Sequence, residues 1–212
     1  MSEIIKINPK HPETDLILRA ARVLQNQGVI GYPTETVYGI GSNVFATAAV
    51  ERIYKLKNRD QSKALIVIAA DTIQIGDLVS DIPEAAEKLM ENFWPGPLTL
   101  VFKSSVTLQS SAFRRSQTIA IRIPDCSICL SLLKTCGFPI ISTSANHSGE
   151  APATTARQVA EIFGDQLDLI VDGGETPSST PSTVVDVTRT PVRILREGGI
   201  SRLEINTVLE SI

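Results

Sequence analysis

The chain of 212 residues is poor in the groups on which much enzyme chemistry depends. It holds two histidines, His11 and His147, and three cysteines, Cys126, Cys129 and Cys136. A zinc site built on the CxxC of Cys126 and Cys129 would want a second such pair or nearby histidines. No glycine is followed by lysine, so a P-loop of the usual kind is excluded. A dinucleotide fingerprint would need glycines at 39, 41 and 44, and position 44 is Val. Ser144 lies in "TSA", with Ser142 and Asn146 where a nucleophile elbow places glycines. No apolar run approaches the ~18–20 residues of a membrane span. The N-terminus, "MSEIIKINPKHPETD", lacks the charged head and apolar block of a signal peptide. Three cysteines cannot all pair with one another, so a reduced, cytoplasmic setting is expected. Neither sign of charge dominates: 20 basic residues face 23 acidic ones, for a formal net charge of −3. That balance argues against a surface devoted to nucleic acid, and it leaves room for a local basic pocket.

What is present is the profile of an ordinary globular protein, 42% hydrophobic and 20% charged. Strand and helix patterns alternate along it. "EIIKI" reads as a strand. Residues 14–27 put Leu16, Ala20, Val23 and Leu24 on one helical face, with Gly28 as the expected C-cap. "VIGY" is a strand, and residues 46–57 form a helix with Val50, Ile53 and Tyr54 on its apolar side. "ALIVIAA" is a buried strand, and residues 83–93 form a helix opened by proline. "LTLVF" and "TIAIRI" follow as strands, residues 126–136 as a helix, "PIIST" as a strand and residues 155–163 as a helix. "LDLIVDGG", "TVVDVT" and "VRILR" complete the strands before a last helix from Ser201. The pattern predicts one α/β domain over residues 1–212, a mixed sheet flanked by helices. The stretch 173–183, "GGETPSSTPST", reads as a functional loop. The three cysteines fit one helical face, so the expectation for them is core packing.

Three polar clusters stand beside strand ends. The first, "YPTETVYGIG" (32–41), sets two threonines and a glutamate between a proline and two glycines. The second, "KLKNRDQSK" (55–63), carries Lys55, Lys57, Arg59 and Lys63 at a helix end, where cations also complement the helix dipole. The third, "STSANHSGEAPATT" (142–155), is dense in hydroxyls; Thr154 or Thr155 in it suits a helix cap.

Together with "WPGPLTLVF", "TIAIRIPD" and "STVVDVT…ILREGG", these clusters resemble, in order and over roughly residues 28–199, the YrdC family of threonylcarbamoyl-AMP synthases. The resemblance implies a twisted α/β sheet with a large concave basic cavity. It also implies an enzyme that joins L-threonine, bicarbonate and ATP, with Mg²⁺ accompanying the nucleotide, into threonylcarbamoyl-adenylate and pyrophosphate. Downstream threonylcarbamoyl-transfer proteins would then modify the adenosine beside the anticodon of ANN-decoding tRNAs. Carried onto this chain, Lys57, Arg59, Ser144 and Asn146 form the catalytic group. Thr118, Pro152 and Arg196 join them in holding ATP, while Thr34, Thr36, Tyr38, Arg122, Ser142 and Ser182 line the threonine pocket. Arg122 suits a carboxylate because its planar fork can bind both oxygens.

No carboxylate cluster here suggests a protein-built metal site. The resemblance implies no covalent intermediate: a carbamate oxygen of threonine attacks the α-phosphorus, and the protein positions and neutralises charge. His147, beside Asn146, is a weak candidate for a base. Two positions depart from the family pattern: Asp60 follows Arg59 where many relatives have proline, and Ile68 stands where many have histidine. The ending a dozen residues after Gly199 resembles the short form of the family. An alternative reading is a binding module for tRNA or double-stranded RNA that uses the same basic cavity, or a paralogue with altered chemistry.

Overall fold

The structure, a computed structural model, describes residues 2–60, 65–105, 117–178 and 180–210. Lys63 of the basic run, Ala64 at the start of "ALIVIAA" and Ser179 of the 173–183 loop lie outside the described residues. Among the described residues ten strands form one mixed sheet. Its order is β1 (Ile4–Lys6), β8 (Leu169–Asp172), β2 (Ile30–Tyr32), β3 (Gly39–Asn43), β7 (Ile140–Ser144), β4 (Ile66–Ile68), β6 (Thr118–Arg122), β5 (Leu98–Lys103), β9 (Thr183–Asp186) and β10 (Arg193–Arg196). Four pairs are parallel (β1 with β8, β2 with β8, β4 with β6, β5 with β9) and the other five antiparallel, β3 and β4 both running antiparallel to β7.

Both faces are covered, and the period-2 alternation of the strands sorts the core into two layers. Ile68, Ile140, Leu169 and Val171 face α1 (Thr14–Gln25) and α5 (Ser127–Cys136). Their chain neighbours Val67, Ile141 and Ile170 belong to the opposite layer. That layer also takes buried residues of α2 (Thr47–Leu56), α4 (Glu84–Phe93), α6 (Ala156–Phe163) and α7 (Arg202–Glu210). A short helix, α3 (Thr72–Gly76), is an addition to the elements expected from the sequence; Asp71 caps it by accepting from the Gln74 amide.

Two helix ends differ from the sequence reading or explain it. In α1 the buried stripe is Ile17, Ala20, Ala21 and Leu24, with Leu16 and Val23 only partly buried. Its cap is Asn26, and the left-handed residue is Gln27 (φ 62), not Gly28. Gly28 comes next and donates to the Val23 carbonyl at 2.8 Å, so the end is a Schellman motif. Glycine serves there by its lack of bulk, because a Cβ would stand 2.6 Å from Val23 Cγ1. α2 ends in the same motif with Lys57 as cap. Asn58 is left-handed (φ 47), its amide donates to Lys55 O, and the Arg59 amide donates back to Tyr54 O at 3.0 Å. Asparagine is one of the few side chains that tolerate that backbone.

α4 begins one residue later than expected, with Pro83 as its cap, and α6 opens with a capping box between Thr155 and Gln158. Cys129 and Cys136 are buried in α5, but Cys126 is the residue before its first turn and half-buried. Cys126 nevertheless packs against the same core layer as Cys129 and Cys136, in keeping with the expected core packing, although as a cap residue it lies outside the helix itself.

Candidate functional site

A cavity of about 150 Å³ opens where β3, β7, β4 and β6 meet the segments leading into β9 and out of β10. Thr34, Thr36 and Tyr38 line it from the first polar cluster, and Ser142 and Ser144 from β7. Arg59, Arg122, Ser182 and Arg196 complete the part that the sequence anticipates. Among the described residues every charged lining residue is an arginine. The enclosed volume is below the ~300–1,000 Å³ typical of pockets for drug-sized ligands. It therefore suits a molecule of amino-acid size, with any nucleotide extending beyond it. A larger groove of about 560 Å³ elsewhere is lined by Met90, Trp94 and Pro95 with Asp71, Glu87 and Glu91. Its carboxylates repel a triphosphate.

Arg122 ends β6 and is buried, held from three sides. Its Nε donates to the Gly96 carbonyl at 3.1 Å, one terminal nitrogen to Thr36 Oγ1 at 3.3 Å, and the other to Glu35 Oε1. Burial pulls its pKa down to about 10, which still leaves it charged at neutral pH. A guanidinium has five N–H donors. Among the described residues three are used, and one donor on each terminal nitrogen remains. Glu35 is a site residue that the sequence reading misses. Its side chain is only 14% exposed, and its second oxygen is buried with no partner among the described residues. The only signal for it is its place between the two threonines of "PTET".

The turn that carries this group is built by Thr34. Its hydroxyl donates to Val37 O at 2.7 Å and accepts from the amides of Thr36 and Val37. It also lies 2.9 Å from Thr36 Oγ1. Tyr38 reaches across the sheet: its hydroxyl donates to Gly174 O at 2.7 Å and accepts from the Gly173 amide, which anchors the 173–183 loop. Burial raises its pKa.

Lys57 does not line the cavity. It is 1% exposed, and its ammonium donates to the carbonyls of Ser144 and Asn146 and to Asn146 Oδ1. Burial, then the nearby Arg59 charge, pushes its pKa down to about 8. Asn146 also accepts from Ser144 Oγ at 2.6 Å and donates to Glu150 O at 2.7 Å. Lys57, Ser144 and Asn146 are thus one bonded cluster, whose inner member is the lysine.

On the far wall, Arg196 donates to Ser182 O at 2.8 Å and to Ser182 Oγ at 3.3 Å, while Ser182 Oγ lies 2.8 Å from Thr99 Oγ1. Gly198 permits this contact: a Cβ there would stand 2.2 Å from Pro181 O. Thr118, at the start of β6 opposite Lys103, and Pro152 do not line the cavity. Pro152 is adjacent to Ala153, which accepts from the Tyr38 amide and donates to Ala145 O. Ile68 does line it, so the departure from histidine at this position puts an apolar side chain in the wall. His147 does not line the cavity; its Nδ1 lies 3.1 Å from Leu56 O and its ring packs edge-on against Phe163. Among the described residues no group of three His, Cys, Asp or Glu is placed to hold a metal ion, and no helix is long and apolar enough to cross a membrane.

Comparison with known proteins bears on this arrangement. A family model named for Sua5, YciO and YrdC and described as telomere recombination matches residues 22–198. The threonylcarbamoyl-AMP synthase of Pyrococcus abyssi is 38% identical over 212 residues, covering 100% of this chain and 62% of that protein. The synthase of Bacillus subtilis is 40% identical over 194 residues, 91% of this chain and 56% of its own length. A crystal structure of P. abyssi Sua5 complexed with L-threonine matches with a TM-score of 0.94 at 39% identity, covering 100% of this chain and 62% of that one. The chain therefore spans about three fifths of the length of these relatives.

Proposed function

The chain belongs to the Sua5, YciO and YrdC family, and from that premise we propose that it makes L-threonylcarbamoyl-adenylate from L-threonine, bicarbonate and ATP, releasing pyrophosphate. The carrying observation is the cavity: an arginine fork, hydroxyls and two further arginines around a space of amino-acid size. Relatives named as this synthase and a threonine-bound relative of the same fold support the reading.

Threonine enters with its carboxylate on the two remaining donors of Arg122, a charge-assisted contact inside a desolvated site. Thr36, Ser142 and Ser182 offer hydroxyls to its other polar atoms. The amine condenses with bicarbonate, losing water, to give a carbamate. One carbamate oxygen then attacks the α-phosphorus of ATP, which enters as its Mg²⁺ complex, and the bond to pyrophosphate breaks. Arg59 and Arg196 neutralise charge on the phosphates, and Ser144 with Asn146 supplies oriented polar groups fixed by Lys57. The catalytic contribution is positioning and electrostatic stabilisation, which needs neither a nucleophilic side chain nor a histidine. The product serves the threonylcarbamoylation of tRNA by downstream transfer proteins.

With Mg·ATP, the purified protein should release pyrophosphate only when L-threonine and bicarbonate are both supplied. Serine should be slower but active, because one methyl group is worth only ~1–3 kcal/mol of discrimination. Pyrophosphate release that ignores threonine would overturn the reading in favour of another nucleotide-cleaving activity.

A further inference from the structure

The CxxC at the start of α5 lies against the turn that builds the threonine side of the cavity. Cys126 is the half-buried cap of the helix, and Cys129 follows one turn later, fully buried. Both sulfurs bond the same acceptor, the carbonyl oxygen of Pro33, at 3.6 Å and 3.0 Å. Pro33 is buried and immediately precedes Thr34. Ile128, between the two cysteines, belongs to the same contact: a Cβ on Gly173 would meet its side chain at 2.7 Å and that of Pro33 at 2.8 Å. The third cysteine has a different setting. Cys136, at the far end of the helix, has its thiol pushed up to about 12 by burial.

The two thiols are chemically unequal. The Cys129 thiol, then the amides of Cys129 and Ile128 at the helix start, then the Arg122 charge favour the Cys126 thiolate and outweigh burial, bringing its pKa to about 7. Burial holds the Cys129 thiol protonated. A half-buried thiolate beside a protonated partner three residues on has the polarity of a nucleophilic and a resolving cysteine. The two sulfurs share one acceptor oxygen and the Cys129 thiol also interacts with the Cys126 sulfur, so the pair lies side by side.

We propose that Cys126 and Cys129 are a redox-active dithiol, a modification site for hydroperoxides whose oxidation to an intramolecular disulfide weakens the threonine side of the cavity. The coupling to threonine rests on the synthase reading above; the dithiol chemistry does not. The Cys126 thiolate attacks one peroxide oxygen, breaking the O–O bond. It becomes a sulfenic acid while the other oxygen leaves, protonated, as an alcohol or water. The Cys129 sulfur then attacks the sulfenic sulfur, the S–S bond forms, and the hydroxyl departs as water with the Cys129 proton. A disulfide donates no hydrogen bond. The buried Pro33 carbonyl thus loses the Cys129 thiol as a donor at the head of the turn whose Thr34 and Thr36 line the cavity and whose Thr36 accepts from Arg122.

Brief hydrogen peroxide treatment of the full chain, followed by intact-mass measurement, peptide mapping and threonine titration, tests this. The expected result is loss of two hydrogens on the peptide spanning Cys126 and Cys129, reversed by dithiothreitol. Threonine affinity should weaken by about tenfold, the scale of a buried acceptor losing its donor, with little change for ATP. Cys126→Ser and Cys129→Ser should each abolish the response, and Cys136→Ser should keep it. Should Cys129→Ser misfold, Cys126→Ser decides alone, because serine is a good helix cap. No disulfide, oxidation of Cys136 instead, or a disulfide with unchanged threonine affinity would overturn the proposal. A reduced chain that binds no threonine would sink the synthase reading and its coupling, while the mass change would still decide the dithiol.

Discussion

At Arg122 the geometry separates charge from shape. The guanidinium holds Gly96 O, Thr36 and Glu35 at once and keeps one donor on each terminal nitrogen. A lysine could carry the charge but not the planar fork. Arg122→Lys should therefore leave a folded protein whose KM for threonine rises at least tenfold while its KM for ATP changes little. Steady-state kinetics with each substrate varied in turn would show the split, and equal effects on both substrates would detach Arg122 from threonine. Arg122→Ala should do more damage. It strands Glu35, one of whose oxygens already lacks a partner among the described residues, and breaking a buried pair costs ~3–5 kcal/mol. Urea unfolding would register that loss.

For the secondary-structure elements, the end of α2 determines where two basic residues go. The reversal at Asn58 (φ 47) lets Lys57 remain buried under the 144–146 segment while Arg59, two residues on, lines the cavity. Asn58→Val should cost about 1–2 kcal/mol, the penalty of a left-handed backbone for such a side chain. It should also lower activity by moving Arg59. Asn58→Gly satisfies the same backbone and should retain both stability and activity. A fall in activity for the glycine variant equal to that for valine would mean that the asparagine side chain acts directly, and not through the helix end.

Across the molecule, charge is concentrated rather than absent. Net charge is −3, yet among the described residues the charged lining of the cavity is three arginines from three separate segments. A field confined to a small recess suits a small anionic ligand more than a polyanion, which gains affinity by neutralising many phosphates along a surface. Binding of double-stranded RNA should accordingly be weak near physiological salt, with a shallow dependence of log K on log salt. Titration at two ionic strengths would test this, and tight binding with a steep slope would restore the RNA-module alternative.

The alternation of strands and helices is legible in the residues alone, because side-chain periodicity is local. Val67 against Ile68 and Ile140 against Ile141 are assigned to opposite faces of a sheet by the two-residue period of a strand, and they do occupy opposite layers of the core. The polar clusters at strand ends are equally visible, and most residues drawn from them line one cavity. Direction and partnership were settled by the tertiary structure. Lys57 and Arg59 look alike in "KLKNR", but only the Schellman turn sends one into the core and the other to the cavity. Gly28 has the composition of a left-handed cap; Gln27 takes that backbone because Gly28 must sit against Val23. Spacing puts the cysteines in one helical row, whereas the chain entering α5 sets Cys126 at its cap, beside a carbonyl ninety-three residues earlier in the chain. Glu35 meets Arg122 only because the folded sheet brings the "PTET" turn to the end of β6. Pairings across such separations depend on loop closure and packing, for which a one-dimensional pattern carries no signal.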